Sequence, residues 1–430
     1  MARLPSATVS DTSTAAPPVP GVPDPSGPTP PRRWAPSRLL AALGVGIVLV
    51  LTAVLHRTHP NALVRLLPST DMTELHVDFD TFWQSSVALL NGQDIYDTPA
   101  KLTNLNPPLL SVLLAPFAAL DPLTAYRVFA TLTLLLILAA VLVVVRELRL
   151  SRGWAVAATL ALLASSPLHG TLLLGQIYGL LLVGLVAGWV AERRGYPVLA
   201  AVLYGVTVAL KPSLAPILVL PLVQRRWRPF AAGIAGAVVA TLVGVLVAGF
   251  ESGPEWIRIA ITEPVPDVLD NAALPGLTLR LGITSAVGSA LGAVLLIGTL
   301  AWFWRRTLRF GIDAIASVAH GTDPAGTAPW AVVAAGLLFS PIAWHNYLLL
   351  LLPGLLVLIA AAPAGSPRRA WGAVLLTLPV IPVSWGDLWA PENPWSPVGR
   401  SLYCAILLAY WFTLVRPGAP VRTGRVDARV

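Results

Sequence analysis

The sequence predicts an all-α polytopic membrane protein, and three observations carry that expectation. Hydrophobic residues make up 56% of the 430 positions and charged residues only 12%, a balance far from that of soluble domains. Apolar stretches long enough to span a bilayer recur from Leu39 to Leu414. The arginines gather in twos and threes at the ends of these stretches. That is the pattern of topology signals, so the net charge of +8 does not point to a nucleic-acid partner.

Residues 1–36, rich in Pro, Ser, Thr and Ala with no aromatic residue before Trp34, are expected to be a disordered cytoplasmic tail. The first apolar run starts late and no small-residue cleavage site clearly follows it, so the first span is expected to remain as an anchor. Residues 37–416 form one transmembrane domain and 417–430 a second cytoplasmic tail. Cys404 is alone and cannot form an internal disulfide.

Arg32, Arg33 and Arg38 put the N-terminus in the cytoplasm by the positive-inside rule. The short, Pro-interrupted stretch "NPPLLSVLLAPFAAL" (106–120) decides the remaining topology. If it crossed, the loop "RELRLSRG" would be exported; if it is re-entrant or interfacial, "AERRGYP", "QRRWRP", "WRRTLRF" and "GSPRRA" all fall inside. The second choice gives about twelve spans, near 39–55, 126–145, 153–166, 172–190, 197–210, 214–224, 229–250, 284–303, 329–343, 346–361, 370–385 and 400–415, with both termini cytoplasmic. Lys211 then lies at an outer turn, because Lys211 and Pro212 interrupt an apolar stretch between two inner loops.

Almost every ionisable residue that is not an Arg anchor falls on the outer side, together with Trp256, Trp385, Trp389 and Trp395. Polar groups at membrane depth are costly without a partner or a purpose, so a site is expected there. In "HVDFDTFWQSSVALLNGQDIYD" (76–97), the run from Thr81 to Leu90 suits a helix stopped by Gly92. Asp80 reads as its N-cap. Asp78 is left free, held ionised by the positive helix end, and can act as a general base. Lys211 reads either as a snorkelling side chain or as a phosphate ligand. His345 and His169 read as structural histidines or site residues, and Arg280 as a second phosphate candidate. No HExxH, CxxC, Walker or Rossmann pattern appears, so no metal and no cofactor are expected.

Five motifs, in this order, resemble glycosyltransferase family 87: "DFDTFWQSSVALLNGQDIYD", "NPPLLSVLLAPFAAL", "LLGQIYGLLLVGLVAGW", "GVTVALKPSLAPILVLPLVQRRWRP" and "SPIAWHNYLLLLLP". The resemblance covers about residues 39–415. It implies a GT-C membrane fold, a polyprenyl-phosphate sugar donor, and catalysis on the extracytoplasmic face by an Asp in the first external loop. The family pattern falls on Asp78, Phe79, Phe82, Trp83, Gly92 and Tyr96, which favours Asp78 over Asp80, and its Lys-Pro pair falls on Lys211 and Pro212. Two departures stand out. Tyr178 occupies the second position after Gln176, where the family often has Asn. His345 and Asn346 follow Trp344, where the family often has His at the second position.

The resulting expectation is a multi-pass plasma-membrane enzyme that moves a hexose, mannose first, onto a glycolipid or lipid-linked glycan with inversion. Asp78 is the base, and Lys211, His345, Arg280, Asp80, Gln176 and Asn346 bind substrate. The alternative is a lipid-linked saccharide transporter or flippase. That reading calls for charged groups in mid-span and related halves, whereas the charges here cluster on one side.

Overall fold

The computed structural model describes residues 42–47, 49, 50, 53, 76–310, 326–381 and 396–416. The two expected tails, and Trp385, Trp389 and Trp395, lie outside the described residues, and the expected first span is described only in part. The described chain is helical, with no strand; Asn271 and Trp344 form an isolated antiparallel bridge.

From residue 77 the helices are α1 (Val77–Leu90), α2 (Pro108–Leu114, prolonged by a 3-10 turn Ala115–Ala119), α3 (Pro122–Glu147), α4 (Arg152–Leu163), α5 (Ser166–Leu173) and α6 (Tyr178–Arg193). There follow α7 (Pro197–Leu210), α8 (Pro216–Val223), α9 (Trp227–Ala248), α10 (Ser252–Thr262), α11 (Leu274–Arg280) and α12 (Ser285–Phe310). The last are α13 (Ala328–Phe339), a 3-10 helix His345–Leu351 leading into α14 (Leu352–Ala361), α15 (Pro367–Thr377) and α16 (Ser396–Val415).

Length and apolar composition let α3, α9, α12 and α16 cross a bilayer, and α4 with α5, bent by 50° at their junction, make a fifth crossing if counted together. The protein is a multi-pass membrane protein. The expected spans 197–210, 214–224, 329–343 and 346–361 fall on apolar helices of 10–17 residues, shorter than the roughly 20 residues of a straight crossing. The expected spans 153–166 and 172–190 are cut differently. Helix breaks after Leu163, where Ser165 caps α5 by accepting from the Leu168 amide and Pro167 opens its first turn, and breaks again before Tyr178. Pro167, tolerated at a helix start but not in an interior, accounts for the first break, and Gly175 with φ of +62° for the second.

Burial separates centre from periphery. Along α13 and through 345–359 nearly every side chain is enclosed, as expected of helices apolar all round. By contrast α9 and α12 expose Val239, Leu242, Leu246, Val294 and Ile297, an apolar outer surface suited to lipid.

Charge marks one end of the bundle. Glu147, at the end of α3, accepts from Arg194 Nη2 at 3.0 Å and faces Arg193 Nε at 3.6 Å, while Glu192 pairs with Arg226 Nη1 at 2.5 Å. Arg369 at the start of α15 lies 5.2 Å over the Trp154 ring of α4. The basic loops expected on one side of the membrane therefore meet at one end. The opposite ends of α6 and α7, about 24 Å away along the 16-residue α6, border a cavity.

Candidate active site

The cavity has a volume of about 940 Å3. Asp78, Gln176, Lys211, Arg280, His345 and Asn346 line it, and Asp80 does not. His169 is buried behind the wall, in α5.

Its first wall is α1. The helix starts at Val77, not after Asp80: the Asp80 amide closes the first turn on the His76 carbonyl (2.9 Å), and Thr81 Oγ1 donates to the Val77 carbonyl (2.9 Å). The expectation that Asp80 is the N-cap is therefore corrected, because His76 holds that position. Both carboxylates sit in the first turn, where the helix dipole favours negative charge. They diverge from there. Asp80 accepts from Gln84 Nε2 one turn later (3.5 Å), whereas Asp78 faces the cavity. Gly92, with φ of +66°, follows the C-cap Asn91 and ends the helix as expected.

Asp78 is positioned by a residue 98 positions away: Gln176 Nε2 donates to its Oδ2 at 2.6 Å. Gly175 makes this approach possible. Its φ is +62°, and a Cβ there would lie 2.7 Å from Phe79 Cβ, so any larger residue would be strained and would push the 174–177 segment off α1. Phe79 is anchored in turn, 1% exposed and packed at a tilt, with ring centroids 5.5 and 5.3 Å from those of Tyr126 and Phe129 on α3. One aromatic anchor and one glycine thus set the Asp78–Gln176 pair.

Burial is the largest influence on Asp78 and pushes its carboxyl above the ordinary carboxylate range; the Gln176 hydrogen bond, His76 and Lys211 pull it down, and Asp270 adds to the rise. A group that works as a base must be deprotonated. The pH dependence of kcat/KM is therefore expected to rise through an apparent pKa above that of a solvent-exposed Asp. Gln176→Leu, which removes the opposing hydrogen bond, should move that limb further upward. A limb unchanged in Gln176→Leu would detach Asp78 from the titration.

Lys211 ends α7 as its C-cap residue, with extended backbone (φ −148°, ψ 91°). Its Nζ donates to Asn106 Oδ1 at 2.8 Å. The Asn106 backbone and side-chain nitrogens donate to Asn104 Oδ1 (3.0 and 3.2 Å), and Asn104 Nδ2 donates to Ser85 Oγ on α1 (3.0 Å). Tyr96 Oη holds the Asn106 carbonyl at 2.9 Å, and Trp256 Nε1 the Leu105 carbonyl at 3.2 Å. The ammonium is therefore directed into the cavity by a polar chain running back to the Asp78 helix.

The far wall pairs residues 268–273 with 342–345. Asn271 bridges Trp344, the Ala272 amide donates to the Ala343 carbonyl (2.7 Å), and the His345 amide to the Asp270 carbonyl (2.7 Å). His345 Nδ1 faces the Asp270 carboxylate at 3.9 Å. Arg280 stands beneath this loop: Nε, Nη1 and Nη2 donate to the carbonyls of Arg400, Val268 and Asn271 at 2.8, 2.7 and 2.8 Å. Its guanidinium bolts the wall together. Tyr178, fully buried, packs on Tyr347 with ring centroids 4.7 Å apart.

Several lining residues were not singled out from sequence: His76, Asn106, Asp267, Asp270 and Arg400. Asn106 carried a readable signal, a polar residue directly before Pro107 and an apolar helix. Asp270 carried none, since its role depends on a partner 75 positions later.

The family model of glycosyltransferase family 87 matches residues 104–320. Over 347 residues, 73% of this chain and 76% of the relative, the chain is 28% identical to a polyprenol-phosphate-mannose-dependent alpha-(1-2)-phosphatidylinositol mannoside mannosyltransferase of Mycobacterium tuberculosis. The enzyme of the same description from Mycolicibacterium smegmatis is 27% identical over 72% of this chain and 75% of its own. An alpha-(1->3)-arabinofuranosyltransferase of Mycobacterium tuberculosis is 31% identical over 235 residues, about half of each chain. No solved structure matches the chain.

Proposed function

The chain belongs to glycosyltransferase family 87, and on that premise we propose that this multi-pass membrane glycosyltransferase moves mannose from a polyprenyl phosphate to a hydroxyl of a lipid-linked glycan. The transfer takes place on the extracytoplasmic face, and the anomeric configuration inverts. Two of the relatives carry the donor in their descriptions, and the arginine sorting supports the face. The observation that carries the reading is a half-buried carboxylate, Asp78, in one cavity with a directed ammonium, Lys211.

In this mechanism the acceptor oxygen attacks the anomeric carbon as its proton passes to Asp78. The bond from that carbon to the phosphate oxygen breaks, and the electron pair leaves with the polyprenyl phosphate. Lys211 meets the charge that grows on the departing phosphate, and preorganised positive charge in a site of low dielectric favours the transition state. His345 lies on the opposite wall and Arg280 supports that wall. A donor with a lipid tail suits a cavity whose lining joins apolar side chains such as Val77, Phe82, Leu105 and Leu174 to its polar groups.

A second sugar has an observation in its favour: an arabinofuranosyltransferase relative shares 31% identity over about half of the chain. The test therefore offers both donors. Purified protein in nanodiscs receives radiolabelled polyprenyl-phosphate mannose or polyprenyl-phosphate arabinofuranose with glycolipid acceptors. The expected product is a labelled glycolipid from the mannose donor, of configuration opposite to the donor's, with one free polyprenyl phosphate per transfer. Label transferred from arabinofuranose alone would reassign the sugar, and transfer from neither donor would sink the reading.

A further inference from the structure

Two buried polar side chains, His345 and Asn346, meet α5 at the start of the 3-10 helix without satisfying one another. Asn346 is fully buried and His345 is 3% exposed, and both line the cavity. The Asn346 Oδ1 and Nδ2 make no hydrogen bond to the protein, whereas the His345 ring has the Ser166 backbone beside it. His345 Nδ1 faces the Asp270 carboxylate at 3.9 Å, and the ring packs edge-on against Tyr403. Buried polar groups are almost always paired, and an unpaired amide is less favourable than an apolar side chain of the same shape. A leucine at 346 would serve the fold better.

Gly170 in α5 adds an independent observation. A methyl group there would overlap Asn346 Oδ1 and approach His345 Nε2 to 3.0 Å. Alanine is the stronger helix former, yet this helix carries glycine where the Asn346 amide needs the space. Two features that local stability disfavours thus converge on one amide.

The amide supplies an acceptor and two donors, and a neutral imidazole supplies one of each. Two neighbouring hydroxyls present a matching set. We propose that Asn346, with His345 beside it, is a recognition subsite for a vicinal diol of a sugar, and that Gly170 is a specificity-determining position that keeps it open. The inference rests on the glycosyl-transfer reading above and assigns part of that cavity. The diol belongs to the transferred sugar or to the acceptor sugar, and the two arms of the test separate these sources.

The experiment compares wild type, Asn346→Leu and Gly170→Ala in nanodiscs by thermal unfolding and by kcat/KM. Substrates are polyprenyl-phosphate mannose, its monodeoxy series, and a monodeoxy acceptor series. Asn346→Leu is expected to melt at or above wild type while kcat/KM falls on the order of 10- to 100-fold; Gly170→Ala, which crowds the same amide, should show a similar loss. With the two analogues that each lack one of the recognised neighbouring hydroxyls, and with no other member of the series, the penalty of Asn346→Leu should shrink several-fold. Convergence in the donor series assigns the subsite to the transferred sugar, and convergence in the acceptor series to the acceptor. Wild-type kcat/KM in Asn346→Leu, a melting temperature that drops with activity, or an equal penalty across both series overturns the proposal. If wild type transfers from no polyprenyl-phosphate sugar, the functional reading fails instead. The subsite is then judged by the thermal shift from a short-chain prenyl-phosphate mannose, and equal shifts in wild type and Asn346→Leu overturn it.

Discussion

Asp78→Asn is expected to leave a folded, donor-binding protein whose transfer rate falls by on the order of 10²–10⁴-fold, the usual contribution of a general base. The substitution keeps the shape of the side chain, and its amide oxygen can still accept from Gln176 Nε2, which donates to Asp78 Oδ2 at 2.6 Å. Stability should move the other way. Burial raises the Asp78 carboxyl in the folded protein, so the folded state binds its proton more tightly than the unfolded state. The contribution of Asp78 to stability is then fullest below the unfolded carboxylate pKa and is lost as pH rises through the folded pKa. At neutral pH the Asn variant should therefore melt at or above wild type, and this advantage should vanish in acid. Asp80→Asn is the control. Asp80 does not line the cavity and serves only the first turn of α1, so its loss should cost a few tenths to about 1 kcal/mol of helix-dipole stabilisation and leave transfer near wild type. Steady-state transfer and melting curves across pH, run on both variants, give the answer. Reversed phenotypes would move the base to Asp80.

The contrast between these two carboxylates shows where sequence reasoning reaches its limit. Their presence beside an amphipathic helix was legible, because helix periodicity and the Asn-Gly stop are local signals. The helix start was misjudged by a turn, since Asp is equally at home at the N-cap and in the first turn. What separates Asp78 from Asp80 is Gln176, which arrives through the positive φ of Gly175 and the seat of Phe79 on α3. No local rule predicts that contact. Arg280 shows the same limit: its charge suggests phosphate, but its guanidinium donates to two carbonyls of the preceding loop and to that of Arg400, 120 positions away. The membrane character was legible from composition alone, whereas the crossings were less so, because apolar helices of 10–17 residues look the same in sequence whether they cross or pack in the bundle centre.

Lys211 turns the same long-range logic into a prediction about rate. A lysine at an outer turn can simply snorkel, but Nζ of Lys211 is bound to Asn106 Oδ1, and Asn106 is fixed through Asn104 to Ser85 of α1. An ammonium held in this way has little freedom to lose when charge develops before it, which is the condition for selective stabilisation of the transition state. Lys211→Ala is therefore expected to lower kcat on the order of 10²-fold while the apparent KM for the polyprenyl-phosphate donor changes by only a few-fold. Lys211→Met keeps most of the apolar stem and should lose as much rate as Lys211→Ala, which separates charge from packing. Lys211→Arg should recover part of the activity, since the planar guanidinium carries the charge but cannot occupy the same point beside Asn106. The measurement is steady-state kinetics in nanodiscs, with donor varied at saturating acceptor. A rise in KM at unchanged kcat would make Lys211 a ground-state ligand only. Wild-type kinetics in Lys211→Met would remove the ammonium from the reaction and shift the burden of the departing phosphate to His345 on the opposite wall.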